Sequence, residues 1–231
     1  WTMDDVESVG LLKIDFLGIR YLTMVSSIVE QIKKENPEFD ITKINYKDPK
    51  VYNLFAEGRT EGIFQFESSG MKEKLRLLKP TEFNDIVAMN ALYRPGPMAQ
   101  IETYIRRKHG EEKVNYPHPN LEKILKDTYG VIVYQEQIML IAVNFAHMSL
   151  NEADNMRRAV SKKKKEDLEY YGRIFIEKSV AAGYDRNVAK SLFDLIVTFA
   201  NYGFNKSHAV VYSMLAYRLA YLKVYYTKYF M

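Results

Sequence analysis

Tyr202-Gly203-Phe204-Asn205-Lys206-Ser207-His208-Ala209 places a lysine, a serine and an imidazole at the entrance to a long apolar helix. The first N–H groups of a helix have no intrahelical partners, and its N-terminus carries a partial positive charge. Residues of these types at that junction therefore suit an anion, above all a phosphate. They equally suit an ordinary N-cap, with the Ser207 hydroxyl accepting one orphan N–H. The octapeptide by itself leaves both readings open.

A second basic element stands upstream. Arg157-Arg158-Ala159-Val160-Ser161-Lys162-Lys163-Lys164-Lys165 packs six cations into nine residues, shortly after Ser149-x-x-Glu152, a spacing that predicts a capping box. Such a run is commonly a solvated helix face. The charge is unevenly shared, however: residues 151–231 hold 14 Lys and Arg against 8 Asp and Glu, while residues 1–150 hold 19 against 21. The basic third of the chain suits a polyphosphate or a nucleic-acid backbone.

Asp15 is the third feature with chemical content. Leu11-Leu12-Lys13-Ile14-Asp15-Phe16-Leu17, closed by Gly18, reads as a strand with Lys13 and Asp15 on one face and Leu12, Ile14 and Phe16 on the other. A carboxylate in so apolar a run needs a partner charge or a metal. One acid is fewer than two-metal phosphoryl transfer requires, and no Asp-x-Asp occurs. If Asp15 is catalytic, its partner acids lie outside this chain. His109, His118, His147 and His208 show no His-x-x-x-His pairing, which sets aside a zinc hydrolase of that kind. Lys206-Ser207 lacks the Gly-x-x-x-x-Gly frame of a P-loop.

The elements that must carry these groups are mostly helical. Periodicity and capping signals predict helices near 20–35, 49–57, 70–78, 82–93, 100–108, 120–127, 135–147, 150–160, 166–182 and 186–201, and from 207 to the end. Arg94-Pro95-Gly96-Pro97 breaks the pattern, and either turns the chain or presents its guanidinium. Ile63–Phe66 and Gly130–Tyr134 are further strand candidates. The expected class is mainly α with minor β (α+β). With 231 residues, 47% of them hydrophobic, the chain is able to bury one large core or two smaller ones. It has no cysteine, hence no disulfide or thiolate metal site. No apolar run approaches the roughly 18 residues of a membrane span and no secretory signal opens the chain, so a soluble, cytoplasmic protein is expected.

Taken together, several segments carry a resemblance. They are Leu12–Gly18, Ile63–Met71, Tyr93–Pro97, Arg107–Gly110, Tyr129–Gln137, the run from Arg157 to Lys164, and Tyr202–Ala209. In this order, and over nearly the whole chain, they resemble the alpha subunits of bacterial DNA polymerase III, the C-family replicative polymerases. The resemblance implies that residues 1–20 end the palm and residues 21–231 form helical fingers. Asp15 would be the third metal-binding acid of a site holding two Mg2+ ions. Arg157, Arg158, Lys162, Lys206, Ser207 and His208 would line the pocket of the incoming deoxynucleoside triphosphate, with Tyr202 and Asn205 beside them and Lys13 and Arg94 as further candidates. His208 would be the steric gate that senses the sugar.

Primer-template DNA is the implied partner, joined in the intact subunit by the sliding clamp and other replisome proteins. The paired palm aspartates and the Gly-Ser phosphate loop of the family are absent from these residues, so the chain alone is expected to bind but not to polymerise. The alternative is a free-standing helical protein that binds nucleic acid non-specifically through its basic face. In the intact subunit, Asp15→Asn is expected to abolish incorporation with little effect on folding, because a neutral amide does not offset the charge of two metal ions. Primer extension measures this, and a near-normal rate would remove Asp15 from the catalytic site.

Overall fold

Short polar signals delimit the helices. The computed structural model describes residues 2–12, 19–162, 165–200 and 203–231, with the side chains of residues 3, 4, 162, 165 and 200 left aside. These residues form α1 (Met3–Ser8), α2 (Arg20–Glu35), α3 (Pro49–Ala56), α4 (Ser69–Leu78), α5 (Phe83–Leu92), α6 (Gln100–Lys108), α7 (Glu122–Leu125), α8 (Gln135–Ala146), α9 (Leu150–Lys162), α10 (Lys165–Ala181), α11 (Arg186–Ala200), α12 (Lys206–Tyr225) and α13 (Thr227–Phe230). Asp48 caps α3 by accepting the Lys50 N–H at 2.9 Å, and Pro49 opens that helix, where its missing donor costs nothing. At α9, Ser149 and Glu152 exchange hydrogen bonds of 2.8 and 3.2 Å, completing the expected capping box. None of the described helices is long and apolar enough to cross a membrane.

The helices enclose two apolar clusters. The first gathers α2 to α6 around α12, with Phe55, Phe66, Leu75, Ile86 and Leu219 excluded from solvent. α12 is apolar on nearly every side, the pattern of a helix buried in a core. The second cluster is built by α8 to α11 around Phe145, Met156, Phe175 and Ile196. Near the first cluster, Asp85 (fully buried) receives Lys108 at 2.8 Å and the Thr81 and Glu82 N–H groups at 2.9 and 3.2 Å, tying the start of α5 to the end of α6.

An extended segment, Val131–Tyr134, runs between the clusters. Val131, Val133 and Tyr134 belong to the first and Ile132 to the second. Gln137 holds this segment: its Oε1 accepts the Val133 and Tyr134 N–H groups at 2.8 and 3.0 Å, and its Nε2 donates to Thr128 Oγ1 at 2.8 Å. Phe204 also pairs with this segment. The Phe204 N–H donates to the Val133 carbonyl at 3.1 Å, and the Gln135 N–H donates to the Phe204 carbonyl at 3.0 Å.

The minor β content expected from the sequence is therefore reduced to one parallel bridge, Tyr134 to Phe204, among the described residues. Ile63–Phe66 is not a strand but two successive turns, with N–H to carbonyl bonds from Ile63 to Thr60 (3.1 Å) and from Phe66 to Ile63 (3.0 Å), and Gln65 at φ 70°. The physical reason is that Ile63 and Phe66 are both fully buried. A spacing of three places side chains on opposite faces of a strand, whereas the turns bring both to one core. The palm strand expected over Leu11–Leu17 lies largely outside the described residues. The expected helices recur to within a few residues with two exceptions: the helix expected from 207 to the end stops at Tyr225 and is followed by the separate α13, and α1 has no counterpart in the sequence reading.

Replacing Gln137 by Leu would leave two buried N–H groups without acceptors. At about 1–3 kcal/mol for each unsatisfied buried group, we expect a loss of roughly 2–6 kcal/mol in urea unfolding of the chain. An unchanged midpoint would show that the segment is held by packing alone.

Candidate nucleotide-binding site

The start of α12 is assembled from three segments distant in sequence. Asn205 caps the helix, its Oδ1 accepting the His208 N–H at 2.8 Å. Lys206 donates its N–H to both carboxylate oxygens of Glu136, each at 3.0 Å. Ser207 is therefore not the cap, and it stands exposed. The N-terminus of α12 already holds an anion, supplied by the second residue of α8. The Lys206 ammonium lies 5.4 Å over the Tyr134 ring.

Gln135, the first residue of α8, extends this face toward α9. Arg157 Nη1 donates to Gln135 Oε1 at 3.2 Å, while its Nε and Nη2 grip Asp154 Oδ1 at 2.9 and 2.8 Å. Asp154 Oδ2 binds Arg158 at 2.9 Å. The Arg157 hydrogen bond, followed by the charges of both arginines, holds the Asp154 carboxyl below its usual range. Arg157 is 19% exposed and Arg158 65%, so one guanidinium is set into the face and the other stands out from it. Gly203 permits the close approach of the α12 loop to α8: a β-carbon there would stand 3.2 Å from Gln135 Cγ.

An aromatic arrangement completes the site. The Arg94 guanidinium lies 4.3 Å over the Phe204 ring and donates through Nε to the Ala91 carbonyl at 2.9 Å. Burial lowers its pKa from the usual arginine value, a cost that the ring face offsets. Gly96 takes φ 101° in the adjacent turn, so Arg94-Pro95-Gly96-Pro97 both turns the chain and seats a cation on Phe204. His208 is exposed, edge-on to Phe204 with ring centroids 5.2 Å apart. With Ser207, Tyr212 and Arg218 it lines a cavity of about 560 Å³.

The structure thus brings Arg94, Arg157, Asn205, Lys206, Ser207 and His208 around the bridge between Tyr134 and Phe204, with Arg158 joined through Asp154. Lys162 ends α9, and its side chain is not described. Asp15, Lys13 and Tyr202 lie outside the described residues. Among the described residues no three His, Cys, Asp or Glu side chains stand together as a metal site. The sequence reading missed Glu136, Gln135 and Asp154 as members of the site. Asp154 was legible in principle, three and four residues before the two arginines; no local signal ties Glu136 to Lys206.

Arginines, a lysine, an imidazole and a helix start thus stand together on a helical scaffold. Residues 21–183 match the bacterial DNA polymerase III alpha subunit finger domain, and the chain belongs to that family. Over its full length it is 56% identical to DNA polymerase III subunit alpha of Bacillus subtilis (strain 168), covering 21% of that protein. It is 53% identical to DNA polymerase III subunit alpha of Staphylococcus aureus (strain COL), covering 22%. The chain thus spans about a fifth of the length of these curated relatives. Similarity over the whole chain does not favour the free-standing nucleic-acid binder.

Because Glu136 occupies the α12 N-terminus, Glu136→Gln is expected to lower the stability of the chain by about 0.3–1 kcal/mol and to strengthen binding of inorganic triphosphate. Thermal unfolding and titration calorimetry read the two effects. Triphosphate affinity equal to that of the parent would show that no ligand anion competes with this carboxylate.

Proposed function

We propose that the chain supplies the nucleotide- and DNA-binding fingers of a DNA-directed DNA polymerase, with residues 21–231 as the fingers and residues 1–20 as the end of the palm. The reading rests on one observation. Arg157, from the basic run, reaches the first residue of α8, while the next residue of α8 holds the start of α12. Cations some 50 residues apart in sequence thereby share one face. A triphosphate is the ligand whose charge density matches it.

In this reading Arg157 and Arg158 contact phosphate oxygens as planar forks, and Lys206 adds a point charge. Lys162, Ser207, Asn205 and Tyr202 complete the pocket, and Lys13 and Arg94 stand as further candidates. His208 faces the sugar as the steric gate. Asp154 and Glu136 neutralise the face until a ligand arrives, so an incoming phosphate must share or displace an internal carboxylate. The exposed Arg158 is the first partner it meets. Primer-template DNA lies along the same basic third, and the sliding clamp and other replisome proteins act on the intact cytoplasmic subunit.

The family implies a divalent metal requirement. The described residues do not fit a metal, as no acidic cluster is among them. What these residues contribute is binding: neutralising the triphosphate and orienting the sugar. In this proposal Asp15, with palm acids outside the chain, would hold the two Mg2+ ions, which would supply charge neutralisation at the transferred phosphate, and the chain alone would not polymerise.

The test is Arg157→Ala and Arg158→Ala in the intact subunit. Each is expected to raise the apparent KM for all four deoxynucleotides and lower the maximal rate. Loss of one charge-assisted contact corresponds to roughly ten- to more than a hundredfold in catalytic efficiency. Steady-state incorporation with each nucleotide measures it; an effect confined to one base, or none, would remove the arginines from the triphosphate.

A further inference from the structure

His208 does not stand alone. Its ring lies 4.0 Å from that of Tyr212, one turn further along α12, and 5.2 Å from Phe204 on the other side. Tyr212 rests on Phe64 at 5.1 Å, and Phe64 on Tyr21 at 5.0 Å. The Tyr21 hydroxyl donates to Glu67 Oε2 at 2.5 Å, and Glu67 Oε1 accepts the Gly62 N–H at 2.8 Å. Beyond Phe204 lies the Arg94 guanidinium. The imidazole is thus an inner member of a row of rings anchored at one end by a cation and at the other by a hydrogen-bonded phenol.

An exposed imidazole on a helix can take several rotamers, and a group that must exclude one hydroxyl from a sugar has to be held in one of them. Here the rotamer is fixed by rings on both sides. Tyr212 shares the 560 Å³ cavity with His208, and its ring is in contact with the imidazole. We propose that Tyr212, backed by Phe64, is a positioning residue for sugar selection: its ring holds His208 in the orientation that rejects a 2′-hydroxyl. The proposal rests on the reading of His208 as the sugar gate.

Four variants of the intact subunit test it, with the ratio of ribonucleotide to deoxyribonucleotide incorporation as the readout. His208→Ala should raise the ratio. Tyr212→Leu, with the imidazole still present, should raise it roughly two- to tenfold, the size of one aromatic contact. Tyr212→Phe, which keeps the ring, should restore the parental ratio. The combined His208→Ala and Tyr212→Leu variant should not exceed His208→Ala, because Tyr212 acts through the imidazole.

A purely structural role would lower the rate for both sugars alike and leave the ratio unmoved. That result, in a Tyr212→Leu subunit whose thermal unfolding matches the parent, overturns the proposal while His208→Ala still shifts the ratio. A Tyr212→Leu subunit that melts early is judged instead by Phe64→Leu, which should raise the ratio if the stack acts as proposed; an unmoved ratio overturns it. If His208→Ala itself leaves the ratio unchanged, the gate reading falls and the positioning role with it.

Discussion

The acceptor that Gln137 offers to the Val133 and Tyr134 N–H groups is the constraint from which the site follows. An extended segment between two apolar clusters has polar backbone on both edges and no sheet to satisfy it. Phe204 donates to the Val133 carbonyl and Gln137 accepts the Val133 and Tyr134 N–H groups, with its amide nitrogen tied to Thr128. Buried N–H groups left without partners would favour solvent, and the clusters would separate along this seam. Because the bridge exists, the start of α8 and the start of α12 stand side by side. Gln135 and Glu136 then reach Arg157 and Lys206 as a consequence of backbone geometry, before any ligand is considered.

A face with this many cations would repel itself if its charge were not answered internally. Asp154 answers two arginines and Glu136 answers a helix N-terminus. Both carboxylates are accessible enough to be exchanged for a ligand anion, unlike Asp85, which is sealed against Lys108 and whose loss would leave a buried cation unpaired. Burial thus separates the sealed Asp85–Lys108 pair from the accessible pairs of Asp154. Pairs at the surface contribute little to stability and are cheaply broken, the property needed where charge must change partners.

Much of the scaffold is legible because helix signals are local. Asp48 with Pro49, and Ser149 with Glu152, state where helices begin within four residues of sequence. The face itself is legible only in part. Arg157, Lys206 and His208 are evident as residue types, but the partners that orient them are not, since Glu136 meets Lys206 across 70 residues and only the tertiary fold joins them. Ile63–Phe66 misleads for a related reason. A short apolar run has no period that distinguishes strand from turn, and burial of Ile63 and Phe66 on one side decides it.

The orientation of α12 shows how deep burial serves an exposed site. A helix apolar on nearly every side has only a weak amphipathic stripe to fix its rotation, so packing alone would tolerate several settings. Specific polar contacts remove that freedom. Asn90 donates to Ser213 at 3.3 Å inside the cluster, and Tyr217 donates to the Asn45 carbonyl at 2.9 Å while accepting the Asp48 N–H at 3.1 Å. Successive residues of a helix are about 100° apart, so a slip of one position would turn His208 and Tyr212 away from Phe204 and Phe64. The buried hydroxyls of Ser213 and Tyr217 thus set the angle at which the imidazole, five and nine residues earlier, meets its neighbours. The selectivity proposed for the exposed end is in that sense established in the core.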